Sequence, residues 1–415
     1  MRARTGVAVA VLLAPLALCG CGADRPTQLS GPDTAKLFSV SPQAGAKGTV
    51  DPSAPVVVSA VQGRLTNVTV SAADGRRIAG AIAADDRSWH STSALVPGQH
   101  YTVTVSADNG DGGRGTTEQQ FATSPAGHLL TAQLTPEDHA VYGVGEPVTV
   151  TLSQPVHDPA ARQVVEAGLT VDSTPSVRGA WYWVDDKTLH FRPEDYWPAH
   201  AAVTVAYDLD GRHVQGDLYG GAASRAAFST GDKLLALTDA ASDYMTVYRN
   251  GREINSIPVT TGKPGFDTRN GIKVVLEQQP DVLMDSSTIG VAPGSSNSYH
   301  LNVMWATRVT WSGEYVHAAP WSEGSQGVSN VSHGCTGMST GNAEWFYDTF
   351  HRGDLVRVVN SHGHDMEPFG NGYGDWNVSW SDWQRGSALH RVVTTGAVTT
   401  GAPGAAQAGL LRPKS

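Results

Sequence analysis

Two stretches of the chain, SWHSTSALVPGQHYTVTV and TLHFRPEDYWPAHAAVTV, align with His90 on His190 and Val103 on Val203. The blocks that carry them close on Phe121-Ala122-Thr123 and Phe228-Ser229-Thr230. Such a duplication narrows the choice of fold, because each copy must bury an apolar face of its own and each is written in short β-patterned runs. VVVSA, LTNVTVSA and YTVTVSA alternate or cluster β-branched residues, and they are broken by Ala-Asp-Gly and Asp-Asn-Gly-Asp-Gly turns, the spacing of a sandwich. The expectation is two tandem immunoglobulin-like β-sandwiches, residues 46–125 and 126–231, lacking the cysteine pair of antibody domains. Trp181, Trp183 and Trp197 read as core and interface packing, ahead of sugar-binding platforms.

The termini read as processing and tether segments. Arg2 and Arg4 precede an apolar run from Val7 to Leu18 that is short for a membrane span, as in a signal peptide. Cys21 follows the small Gly20, whereas Cys19 follows Leu18, so Cys21 is the better lipidation site; residues 1–21 form the expected signal peptide and lipobox. Residues 22–45 suit a flexible linker, and 391–415 a low-complexity disordered tail. An exported protein attached to the outer face of the membrane by lipid alone is the expected localisation. The net charge of −10 and the lack of a basic stripe argue against a nucleic-acid partner.

From about Lys233 the pattern changes. Asn250-Gly251 supplies a hairpin turn between two alternating strands, and strands continue through GIKVVLEQ, SYHLNVMWATRVTW, GEYVHAAPW and DLVRVVN. One helix is expected over 339–350, capped by Ser339 and ended by Gly353. Residues 361–390 read as an aromatic flap whose Trp376, Trp380 and Trp383 pack rather than bind ligand. Met245 and Met304 read as core, and Glu253, Glu277 and Asp281 as solvated charges.

If Cys21 is the processed terminus, Cys335 in NVSHGCTGMS is an unpaired thiol, either inert and buried or kept for its chemistry. A thiol attacks carbonyls as its thiolate, so it needs a base and donors for the developing oxyanion. Gly334 removes bulk beside the sulfur. His333 and His317 are both in range as the base, and spacing alone does not separate them. His362, His364 and Asp365 lack the spacing of a zinc site, so no metal is expected.

The stretch YVHAAPWSEGSQGVSNVSHGCTGMS resembles the active-site segment of L,D-transpeptidase (YkuD-type) catalytic domains, a histidine followed at a distance by Ser/Thr-His-Gly-Cys; here 14 residues lie between His317 and Ser332. VYRNGREINSIPVTTGKPGFDTRNGIKVV and VLMDSSTIG resemble the opening strands and substrate lid of that domain, and the resemblance covers 233–360. Tandem sandwiches with a lipobox resemble the actinobacterial lipoprotein members. The fold class implied is mainly β, with two immunoglobulin-like sandwiches before a β-rich catalytic domain bearing one or two short helices.

The resemblance implies that Cys335 is the nucleophile, His317 its base and then its acid, and His333 a supporting residue. The N–H groups of Gly334 and Cys335 with the Tyr299 hydroxyl would line the oxyanion pocket. Met284, Ser312, Gly313, Trp321, Ser332 and Gly337 would line the substrate cleft. Ala318 stands where many members have Ser, and Gly337 where many have Asn. The reaction implied joins peptidoglycan stem peptides, a tetrapeptide donor and a diamino-acid amine acceptor, by a 3→3 cross-link through a thioester, with no cofactor and with inhibition by carbapenems. Rival readings are an L,D-carboxypeptidase that passes the thioester to water, and a non-catalytic wall-binding scaffold.

Overall fold

The computed structural model describes residues 37–43, 48–108 and 113–396. The signal segment, Cys21 and the tail beyond 396 lie outside the described residues, as does most of the linker. Sequence alternation becomes three β units in chain order. In the first sandwich, one sheet runs Phe38–Ser41, Val57–Ala60, Ser88–Ser91, Gly80–Ile82, and the other Arg77–Ile78, Arg64–Ala72, His100–Asp108, Arg114–Ala122. Their inward positions, among them Val58, Val70, Trp89, Tyr101 and Val103, close one core. Phe38–Ser41 pairs with Val57–Ala60, so the domain starts inside the segment read as linker. The reason is that Leu37, Phe38 and Val40 are all buried, and apolar area outweighs the polar composition around it.

The second sandwich repeats the plan. His190 lies on Thr188–Pro193 and Val203 on Ala202–Tyr207, the strands equivalent to those holding His90 and Val103. Trp181, Trp183 and Trp197 are buried in its core. A helix that the β pattern hid, Pro159–Ala167, starts where the Asp158 carboxylate accepts from the N–H groups of Ala160 at 2.7 Å and Ala161 at 3.2 Å, with Pro159 preset for the first turn.

The last unit holds two sheets, Arg252–Pro258, Tyr244–Arg249, Leu234–Asp239, Leu355–Val359, Gly271–Val274 and Glu277–Asp285, His300–Arg308, Tyr315–Ala318, Thr336–Met338. Asn250 and Gly251 have φ of 51° and 81°, the two left-handed residues a tight hairpin of this twist requires. The helix Thr340–Thr349 is capped by Ser339 and buries Ala343 and Phe346. It ends on Phe350, whose ring stacks on Phe346 at 4.1 Å, and not on Gly353. Gly353 instead allows the last unit to approach the second sandwich: a Cβ there would meet the Gly143 nitrogen at 2.6 Å.

Residues 361–390 fold back, though as a wedge between the second sandwich and the first sheet of the last unit. Trp383 is fully buried and donates to the Ala180 carbonyl at 2.9 Å. Trp376 donates to Gly145 at 2.8 Å. The Arg192 guanidinium sits over the rings of Trp376, Trp380 and Trp383, and His190 Nδ1 meets Asp375 Oδ1 at 2.6 Å. Asn377 brackets the Ile272 peptide, accepting from its N–H and donating to its carbonyl at 2.8 Å each. Val393–Thr394, in the segment read as disordered, pairs with Arg178–Trp183. A free strand edge explains it, since an edge offers unpaired N–H and C=O groups to any extended segment nearby. Met304 is half exposed, because on His300–Arg308 the inward positions are Leu301, Val303 and, past the positive φ at Trp305, Ala306; it is not core.

Candidate active site

Tyr315–Ala318 and Thr336–Met338 pair in parallel with His317 opposite Gly337, so the register carries Cys335 to the strand beside His317. Both side chains line one cavity of about 370 Å3 that opens to solvent, together with Met284, Tyr299, Trp321, Ser332, His333 and Gly337. Cys335 is half-buried and lines that cavity.

His317 is buried, and its Nδ1 lies 2.8 Å from the Ala318 carbonyl. A carbonyl only accepts, so Nδ1 carries the proton and Nε2 is the basic nitrogen. The orienting partner is main chain, and alanine at 318 supplies it. Burial lowers the His317 pKa, opposed by that same bond. At Cys335 burial pushes the thiol up to about 12, and the Tyr315 backbone N–H aimed at the sulfur pulls it the other way. The resting pair is therefore neutral thiol and neutral imidazole, with ionisation deferred to the reaction. The thiol donates to the Gly313 carbonyl at 3.5 Å.

The turn before the nucleophile is held on every side. Ser332 Oγ donates to the Cys335 carbonyl at 2.6 Å and accepts from the Gly334 N–H at 3.1 Å. Gly334 has φ of 118°, a conformation that favours glycine, and its carbonyl accepts from Thr268 Oγ1 at 2.9 Å. This corrects one expectation: the Gly334 N–H is committed to Ser332 and is not free to receive an oxyanion, while Tyr299 lines the cavity. Burial pushes the Tyr299 hydroxyl up to about 12, so it keeps its proton to donate.

His333 packs edge-on to Phe266 at 4.5 Å and beside Tyr299 at 4.9 Å. Burial and then Lys263 lower its pKa, and its buried Nε2 has no partner. It stands in the wall of the cavity. Trp321 is exposed and stacks on His317 at 6.1 Å. Ser312 is not brought into the cavity: its N–H donates to Asn371 Oδ1 at 2.7 Å and its hydroxyl meets Thr310 Oγ1. Gly313 contributes only its carbonyl. At Gly337 a Cβ would come within 2.9 Å of the Ala319 Cβ and 3.2 Å of Thr260 Cγ2, so this backbone leaves no room for an asparagine there.

Sequence reading missed Thr260, Leu301, Val303, Ser322, Ser325 and Val331, which also line the cavity. Leu301 and Val303 were within reach, since they alternate with exposed His300, Asn302 and Met304 along one strand. Ser322, Ser325 and Val331 lie within the segment quoted around Trp321 and Ser332, and Thr260 reaches the cleft only through the fold.

A family description, "L,D-transpeptidase catalytic domain", matches residues 235–358, and "Bacterial Ig domain" matches 47–213. L,D-transpeptidase 2 of Mycobacterium tuberculosis is 38% identical over 389 residues, 91% of this chain and 93% of that protein. The chain belongs to the L,D-transpeptidase family. L,D-transpeptidase 5 of the same species is 32% identical over 387 residues, 91% of this chain and 83% of that one. Among solved structures, the L,D-transpeptidase LdtMt1 in complex with imipenem shares 37% identity, covering 56% of this chain and 99% of that one, with a TM-score of 0.48. The protein is thus an enzyme of the L,D-transpeptidase class, built from immunoglobulin-like domains followed by a YkuD catalytic domain.

Proposed function

We propose that this L,D-transpeptidase makes 3→3 cross-links between peptidoglycan stems. The observation that carries the reading is the placement of His317 on one strand and Cys335 at the start of the strand beside it, both lining one open cavity, with His317 Nε2 left basic by the bond to Ala318. Nε2 takes the thiol proton as sulfur attacks the carbonyl between the third residue of a stem tetrapeptide and its terminal D-Ala. The Cys335 N–H and Tyr299 hydroxyl receive the oxyanion. His317 then gives its proton to the departing D-Ala amine, leaving a thioester. The side-chain amine of a second stem attacks that carbonyl, its proton passes through His317 back to sulfur, and the thiol is regenerated. The energy comes from the peptide bond broken, so atoms and charge balance without a nucleotide.

Lipid attachment through Cys21, outside the cell membrane, belongs to the same proposal and is supported by the sequence alone. The two sandwiches would then hold the cavity off the membrane, toward the wall. Mass spectrometry of products from a disaccharide-tetrapeptide tests the reaction. The expected product is a cross-linked dimer, a carbapenem mass on Cys335 is expected on incubation, and Cys335→Ala removes both. Tripeptide without dimer would replace the reading with a carboxypeptidase, and dimers from the Cys335→Ala variant would overturn it.

A further inference from the structure

The back of Cys335 carries charge that this mechanism does not use. Lys273, only 1% exposed, rises from Gly271–Val274, and its Nζ is bound by Glu314 Oε2. The other oxygen, Oε1, accepts from the Arg269 backbone N–H and guanidinium, each at 3.1 Å. Arg269 Nε in turn reaches Glu367 at 3.0 Å. Burying a lysine and a glutamate is costly, and an apolar pair of similar volume packs as well or better. Stability is therefore a weak reason for such a cluster beside the nucleophile.

Its position supplies a better one. Glu314 lies between the two residues whose backbones hold the sulfur: the Gly313 carbonyl accepts from the thiol, and the Tyr315 N–H is aimed at it. The Glu314 N–H donates to Thr310 Oγ1 at 2.9 Å, and Thr310 is fully buried. Gly313, at φ of 101°, is the permissive joint in this short span, so a fixed point next to it decides where its carbonyl aims.

We propose that Glu314, clamped by Lys273 and Arg269, is a positioning residue for acyl transfer at Cys335. It holds Gly313 to Tyr315 so that one carbonyl and one amide stay on the sulfur while the proton moves to His317. When the thiol ionises, Gly313 loses its donor and the Tyr315 N–H remains on the thiolate. The groups facing the sulfur are then His317 as acceptor, Tyr299 and Tyr315 as neutral phenols, Glu314, whose charge opposes the thiolate, and Lys273, whose charge favours it. The proposal rests on Cys335 being the nucleophile, as argued above.

Glu314→Gln alone strands a buried cation and threatens folding, so the test uses K273M/E314Q, which is neutral and of similar volume, and R269Q, which keeps the Lys273 pair and removes one anchor. The readouts are the iodoacetamide alkylation rate of Cys335 against pH, and kcat and KM for the stem tetrapeptide. The folded double variant is expected to react about 10- to 100-fold more slowly, with kcat reduced, KM within about twofold and the alkylation pH profile displaced. R269Q is expected to lose about threefold, a smaller misplacement of the same groups. A folded double variant that alkylates and turns over at the parent rate overturns the proposal; if it does not fold, R269Q at the parent rate does so. Alkylation needs no stem peptide, so a parent protein that fails to cross-link while the variants still differ in alkylation would sink the functional reading and leave this one standing.

Discussion

The two sandwiches share a plan and differ in what they are fastened to. The first closes its own core and reaches the second through Arg76 with Asp210 at 2.8 Å, Tyr219 with Asp51 at 3.2 Å and the close approach of Gly211 to Leu95 and Val96. The core of the second includes Val274 and Leu355 from the catalytic sheets, and it is stitched further by Trp376, Trp383 and Arg352, which reaches Glu146 at 2.9 Å. One repeat is thus fastened lightly, as the proposed spacer would be. The other is half of a fused unit whose far side holds the nucleophile, because shared apolar burial couples two units while exposed ion pairs contribute little.

The strongest way to break this comparison is a pair of tryptophan truncations. Trp383→Ala should remove about 3–5 kcal/mol from the fused unit and lower transpeptidase activity, although the residue is remote from Cys335. Trp89→Ala should cost the first sandwich a similar amount and leave catalysis unchanged. Calorimetry on the full chain, read beside dimer formation, checks both; a single transition that moves equally in the two variants would abolish the distinction.

A smaller effect sharpens it. Burial raises Glu146, which has Arg352 on one oxygen only, and Asp354, each to about 7. Between the ordinary carboxyl range and about 7 the folded chain keeps protons that the unfolded chain has released. The stability they contribute is therefore complete below that range and lost as pH rises through about 7, at most about 3 kcal/mol for Glu146 and about 4 kcal/mol for Asp354. The transition of the fused unit should fall between pH 5 and 8, and Glu146→Gln should flatten that slope. The first sandwich should hold steady, since Asp51 is lowered by its bonds to Ser53. At the small end, Arg76→Ala removes an exposed pair and should cost no more than about 1 kcal/mol, with activity intact; a larger loss would mean the first sandwich is not a simple spacer.

Much of this was legible before the fold. Period-two alternation marks strands wherever one face is buried, so the repeat, the Asn250-Gly251 hairpin and the helix after Ser339 could be read locally. Cys335 and His317 stood out through the residues around them. The helix at Pro159 was hidden because it is short and its neighbours are strands. Phe38–Ser41 and Val393–Thr394 were hidden because pairing to a sheet edge depends on what lies beside a segment rather than on its own composition.

The amino-acid sequence by itself determined the β periodicity, the duplicated plan, and a thiol after Ser-His-Gly with a histidine upstream, because these follow from residue type and spacing. Tertiary structure alone decided that the Ala318 carbonyl orients His317 through Nδ1, that the Gly334 amide is already spent, that the aromatic segment wedges two units together, and that Lys273, Arg269 and Glu314 converge behind the sulfur. Those outcomes depend on strand register and on burial, which join residues far apart in the chain and set whether a charged or polar group meets a partner or water.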